Sequence, residues 1–121
     1  MDDVYREQLM EHYKNPQNKG ELDDPSKQTA KKNPLCGDVI KMQLKINKGI
    51  IEDIKFNADA CAVTVASASI LSEEVKGKSI EEVKKMKKED LLDMMGVELT
   101  TSRVKCATLA LEALQGMLED M

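Results

Sequence analysis

Apolar and polar residues alternate over residues 40–46, and this alternation is the clearest structural signal in the sequence. A period of two is typical of a β-strand with one buried face. Residues 47–49 then fit a three-residue hairpin loop. A second strand follows, in which Ile50, Ile54 and Phe56 are predicted to share the buried side. Glu52 interrupts that apolar set, so the register of the second strand is weakly specified.

Helical spacing is found on both sides of these strands. Asp2 or Asp3 can cap a first helix that ends before Gly20, and residues 20–34 are polar enough for a loop with one short strand. The apolar stripe of the first helix comprises Tyr5, Leu9, His12 and Tyr13. A helix rich in small residues follows Cys61, and the final helix begins at a Thr or Ser near residue 101. Because strands and helices do not alternate, the sequence predicts an α+β fold with an antiparallel sheet.

Size and composition exclude several classes of protein. A chain of 121 residues is the length of one compact domain, here taken as residues 1–121. The net charge of −4 and the scarcity of aromatic residues argue against nucleic-acid binding. The chain has no apolar run of the length that spans a bilayer, and its N-terminus is acidic rather than signal-like. We therefore expect a cytoplasmic protein without a membrane partner.

The three cysteines are the first indication of function. An odd number in a cytoplasmic chain favours thiol or metal chemistry over a disulfide framework. Cys36, Cys61 and Cys106 each fall at the end of a predicted element, whereas a cysteine that only fills the core would more often lie in the middle of one. Position alone leaves both interpretations open.

Asp38 strengthens the interpretation as a metal site. If the chain is extended at Gly37, Cys36 and Asp38 point to the same side, and with Cys61 and Cys106 they provide three sulfur atoms and one oxygen. Such a set suits tetrahedral Zn²⁺ or an iron–sulfur centre. Gly37 would allow either a tight turn or the close approach of a bound group.

The single histidine, His12, is predicted to pack on the apolar side of the first helix rather than to bind a metal. A Cys–His nucleophilic pair is therefore not expected. The sequence also contains no Gly-rich phosphate-binding loop.

Five segments in order resemble the IscU-type iron–sulfur cluster scaffold proteins, which also occur as the N-terminal domain of NifU. They are YREQLMEHYKNPQNKG, NPLCGD, ADACAVTVASAS, VKGKSIEE and RVKCATLALEAL, and together they cover nearly the whole chain. The resemblance implies a three-stranded antiparallel sheet packed against four to five helices.

The resemblance also implies a function and a set of site residues. Cys36, Cys61 and Cys106 would bind a [2Fe-2S] cluster assembled from iron and sulfide, and Asp38 would make cluster release easy. A cysteine desulfurase would supply sulfur as a persulfide, most often to Cys106, and apo-proteins would receive the cluster. A homodimer that shares the cluster is compatible with this role.

Two features depart from the family pattern. Lys105 stands where many members have a histidine, and LTTSRVK replaces the proline-rich stretch that a dedicated Hsp70-type chaperone recognises. A chaperone partner is therefore in doubt, and Asp38 becomes the expected fourth ligand.

With a lysine at position 105, the sequence resembles the SufU branch, whose members hold zinc and relay sulfur. That branch usually carries an insertion between its second and third cysteines, for which the 44 residues here leave no room. The sequence therefore favours a scaffold, with a zinc-dependent sulfurtransferase as the alternative. A small interaction domain with inert thiols is the third hypothesis.

Overall fold

The computed structural model describes residues 3–34, 37–96, 99, 101–119 and 121, and the side chains of residues 3–5, 101 and 102 lie outside that description. Within these ranges the chain forms five helices and three strands. The elements are α1 (Asp3–Lys14), β1 (Lys27–Lys32), β2 (Val39–Asn47), β3 (Ile50–Asp59), α2 (Ala62–Val75), α3 (Ile80–Lys84), α4 (Lys88–Met95) and α5 (Thr101–Leu118). The predicted α+β class is confirmed.

The three strands form one antiparallel sheet in the order β1-β2-β3. The predicted alternation in β2 is confirmed, because Ile40, Met42 and Leu44 are fully buried on one face. At the far end of the β2–β3 pair Val39 lies opposite Asp59. That register brings the residue before β2 close to the residues after β3.

The hairpin between β2 and β3 differs from the prediction in two ways. Asn47 pairs directly with Ile50, so the loop has two residues, Lys48 and Gly49, whose φ angles are +54° and +77°. Positive φ at both central residues is typical of the tight turn that matches strand twist. In addition, Lys45 pairs with Asp53 and Ile46 with Ile51, which leaves Glu52 as a bulged residue.

The bulge explains an error in the predicted face of β3. Ile51, rather than Ile50, is fully buried, and Ile50 is 38% exposed. One extra residue shifts the phase of the alternation, so that Ile51 and Ile54 lie on the same buried face although they are three residues apart. The interruption at Glu52 was therefore the sign of the bulge.

Helices α2 and α5 cover the buried face of the sheet, and α1 packs on α2. The core between these layers is aliphatic and includes Leu71 and Val75 of α2 with Leu111 and Leu114 of α5. Helix α2 is buried nearly all round, since its small residues allow neighbours to approach from several sides. Within the described ranges, no helix is both long and apolar enough to cross a membrane.

Buried serines of α2 hold the first helix in place. The Ser69 hydroxyl accepts a hydrogen bond from the Gln17 backbone N–H (2.8 Å), and Nδ1 of His12 lies 2.7 Å from the same oxygen. The prediction that His12 is a packed helix residue is confirmed. Tyr13 is 44% exposed, so its assignment to the apolar stripe of this helix was wrong.

Leu71 is fully buried in the core between the sheet and the helices. We expect Leu71→Ala to lower the free energy of unfolding by about 2–5 kcal/mol, because it leaves a cavity among packed side chains. Urea denaturation measures this change. Met10→Ala, at a side chain that is 44% exposed, is the control and should change stability by less than about 0.5 kcal/mol; equal losses in both variants would contradict the assigned core.

Candidate metal centre

Asp38 is placed by a closed loop between β1 and β2. The Asn33 N–H donates to the Asp38 carbonyl oxygen and the Gly37 N–H donates to the Asn33 carbonyl oxygen, both at 2.8 Å. The side chain of Asp38 is buried, with 7% of the residue exposed. A carboxylate is therefore fixed at the start of the central strand.

Gly37 provides the tight turn that the sequence allowed. Its φ is +75°, a left-handed conformation that favours glycine, and a Cβ built there would meet no atom of the described residues within 4 Å, its chain neighbours aside. The assumption that the chain is extended at this residue was wrong, so the argument that Cys36 and Asp38 point to the same side does not hold. Cys36 itself lies outside the described residues, and its role as a ligand stays a prediction.

Cys61 lies at the junction of β3 and α2, as the N-cap of that helix, and is half-buried. Its backbone N–H donates to Oδ1 of Asp38 at 3.2 Å. The contact follows from the sheet register, because Val39 lies opposite Asp59 and the residues just beyond the pair are neighbours. Asp38 and Cys61 are thus brought into contact although 22 residues lie between them along the chain.

Cys106 reaches the same place from α5. It is the sixth residue of that helix and is 5% exposed. Its carbonyl oxygen accepts a hydrogen bond from the Thr64 hydroxyl at 3.1 Å. The pairing of α2 with α5 thus brings the third cysteine to the first turn of α2.

The structure brings together Asp38, Cys61 and Cys106. One carboxylate oxygen and two sulfur atoms all lie within 4.8 Å of one another. Around tetrahedral Zn²⁺ with Zn–S bonds of about 2.3 Å, neighbouring ligand atoms are roughly 3.5–3.8 Å apart, so the side chains need to close by only about 1 Å. Two thiolates and a carboxylate also suit iron, and the donor set therefore fits either metal.

Thr64 was missed by the sequence analysis. Its side chain is fully buried, and its hydroxyl lies 2.8 Å from Oδ2 of Asp38 and 3.5 Å from Sγ of Cys61. The signal was visible, because residues three apart on a helix share a face and Thr64 follows Cys61 by three. Only the fold, however, places Asp38 on that face.

The remaining predicted residues lie outside this donor group. Lys105 is exposed and lines a cleft of about 510 Å³ together with Lys31 and Lys32, while His12 contacts α2. The cleft adjoins the end of α5 that carries Cys106. Lys105 therefore contributes positive charge near the site, on the solvent side.

Comparison with known proteins agrees with the fold. A model of the NifU-like N-terminal domain matches residues 4–120, and the chain belongs to this family. It is a homologue of the IscU and SufU proteins of iron–sulfur cluster assembly.

Two curated relatives are similar to nearly the same degree. The zinc-dependent sulfurtransferase SufU of Bacillus subtilis is 39% identical over 132 aligned positions, covering 95% of this chain and 89% of SufU. The iron–sulfur cluster assembly scaffold protein IscU of Escherichia coli K12 is 37% identical over 121 positions, covering 97% and 93%. The chain is thus related to both a scaffold and a sulfurtransferase.

A solved structure confirms the fold. The crystal structure of a NifU-like N-terminal protein from Brucella abortus superposes with a TM-score of 0.81 over 98% of this chain and 94% of that one, at 21% identity. The architecture is therefore that of the NifU-like fold, with the three-stranded sheet and helices described above.

Metal titration tests the donor group. We expect the protein to bind one Zn²⁺ per chain, and Cys61→Ser or Cys106→Ser to weaken binding by more than about 100-fold, the upper end of what the loss of an outer partner costs. Competition with a chromogenic chelator measures the affinity. His12→Gln is the control, because it removes a metal-binding residue type outside the group; unchanged affinity in both cysteine variants would contradict the site.

Proposed function

We propose that this chain is a scaffold on which a [2Fe-2S] cluster is built and from which it passes to apo-proteins. The observation that carries the proposal is the group of Asp38, Cys61 and Cys106, in which two thiols and one carboxylate converge from three separate segments. Cys36 completes the proposed ligand set. Iron and sulfide are the substrates of this process, and the cluster is its cargo.

Sulfur enters by transfer between thiols. A thiolate of the chain attacks the outer sulfur of a persulfide on a cysteine desulfurase; a new S–S bond forms on the chain, and the desulfurase cysteine leaves as a thiolate. An external two-electron donor then reduces the bound sulfane sulfur to sulfide. Cys106 remains the proposed acceptor, but it is 5% exposed while Cys61 is half-buried, so the desulfurase must reach into the site to meet it.

Partners follow from the same role. The desulfurase and the apo-protein acceptors are part of this proposal, as is a cytoplasmic location, where thiols remain reduced. A pair of chains could share one cluster. The basic side chains Lys31, Lys32 and Lys105 beside the site would favour the approach of an acidic partner surface.

A zinc-dependent sulfurtransferase is the second candidate, because the similarity to SufU is close to that to IscU and the donor group fits tetrahedral Zn²⁺. One feature favours the scaffold. The SufU alignment spans 132 positions against 121 residues in this chain, so SufU carries at least 11 residues that are absent here. The IscU alignment spans 121 positions, which is no more than the length of this chain.

Anaerobic reconstitution separates the two functions. With ferrous iron, cysteine, a cysteine desulfurase and a dithiol as the two-electron donor, the scaffold should develop visible absorption of an iron–sulfur cluster, with iron and acid-labile sulfide in equal amounts. Cys61→Ser should abolish this absorption. Retention of one zinc per chain, with persulfide transfer but without cluster formation, would contradict the scaffold and support the sulfurtransferase.

Asp38 should set the lifetime of the cluster. A carboxylate is a harder and more easily exchanged ligand than a thiolate, so we expect Asp38→Ala, with buffer thiol free to take the position, to lengthen cluster lifetime in anaerobic transfer to an apo-ferredoxin. Asp38→Cys should lengthen it further. Asp59→Ala, an exposed carboxylate nearby, is the control; a lifetime in Asp38→Ala equal to or shorter than that of the unaltered protein would count against this role.

A further inference from the structure

One hydroxyl group contacts every described member of the donor group. The Thr64 side chain lies 2.8 Å from Oδ2 of Asp38, 3.1 Å from the carbonyl oxygen of Cys106 and 3.5 Å from Sγ of Cys61. Thr64 is fully buried in the first turn of α2, so water does not compete for these contacts. Each of the three segments that form the site is therefore joined to this single side chain.

The donor and acceptor capacity of a hydroxyl group shows which of these contacts is the main hydrogen bond. A hydroxyl has one proton to donate, and a carboxylate or a carbonyl oxygen can only accept. The shorter distance and the charge of the carboxylate make Asp38 the main acceptor, since hydrogen bonds to an ionised group are shorter and stronger. The Cys61 thiol can in turn donate to the hydroxyl oxygen of Thr64.

The second oxygen of Asp38 is held as well. Oδ1 accepts the backbone N–H of Cys61 at 3.2 Å, so that each carboxylate oxygen has a donor on α2 or its cap. Two donors fix both the plane and the tilt of the carboxylate. In general, an oxygen of a carboxylate has two lone pairs and can accept a hydrogen bond while it binds a metal.

We infer that Thr64 is a positioning residue of the metal centre, whose hydroxyl holds the Asp38 carboxylate in the orientation in which it binds iron or zinc. The inference rests on the proposed role of Asp38 as a ligand and deepens it. Outer partners of metal ligands typically change metal affinity by about 10–100-fold when they are removed. A threonine that only packs the start of α2 would not have this effect.

Cobalt binding tests the inference, because Co²⁺ alone reports both affinity and ligand geometry through its visible spectrum. Thr64→Val keeps the volume and removes the hydroxyl, while Thr64→Ser keeps the hydroxyl and removes a methyl group. We expect Thr64→Val to weaken Co²⁺ binding by about 10–100-fold and to shift the ligand-field bands. Thr64→Ser should bind as the unaltered protein does, even if its metal-free form melts at a lower temperature.

A double-mutant cycle with Asp38→Ala shows whether Thr64 acts through the carboxylate. In that background, Thr64→Val should cause no further loss of Co²⁺ affinity. The inference is overturned if Thr64→Val binds like the unaltered protein, if Thr64→Ser loses as much affinity as Thr64→Val, or if the loss persists without Asp38. Should Thr64→Val not fold, Thr64→Ser decides: unchanged affinity supports the inference, and a tenfold loss overturns it.

Cluster reconstitution on the same preparations separates this result from the fate of the proposed function. Co²⁺ binding that depends on Thr64, in a protein that assembles no cluster, would count against the scaffold and leave the role of Thr64 in place. Cluster assembly by a protein whose Co²⁺ affinity does not depend on the Thr64 hydroxyl would support the scaffold and count against the role of Thr64. Absence of Co²⁺ binding by the unaltered protein would overturn the role of Thr64, whereas the scaffold would still be decided by cluster reconstitution.

Discussion

The buried carboxylate of Asp38 is the constraint on which the site depends. A carboxylate that is 7% exposed is costly unless hydrogen bonds replace water. The Cys61 backbone N–H and the Thr64 hydroxyl supply those bonds. Because the two donors belong to the start of α2 and the acceptor precedes β2, satisfying one buried charge also fixes the position of a cysteine.

The rest of the fold keeps these groups in place. The pairing of β2 with β3 sets Asp38 beside Cys61, and the close contact of α2 with α5 adds Cys106. Small residues along α2 make that close contact feasible, and its buried Ser69 and Ser72 have hydrogen-bond partners in the turn after α1. A site built on three elements of one core can stay ordered during the proposed release of a cluster.

Much of the fold could be predicted from the sequence, because the alternation over β2 and the helical spacing are local patterns. Which residues of β3 face the core could not be predicted, because the bulge at Glu52 arises from the pairing of β3 with β2. The cysteines were visible as candidates, yet separations of 22 and 44 residues say nothing about proximity. Their convergence follows from strand register and helix packing, and Thr64 gains its role from the same long-range contacts.

The central claim is a mixed set of sulfur and oxygen ligands around one cluster. Mössbauer spectroscopy of protein reconstituted with ⁵⁷Fe tests it most directly, because it distinguishes iron bound only by sulfur from iron that also has an oxygen ligand. We predict two doublets of equal area, one of which has the larger isomer shift of a carboxylate-bound iron. In Asp38→Cys, the isomer shift of that doublet should fall to the value of iron bound only by sulfur. A single doublet unchanged by that substitution would contradict the account.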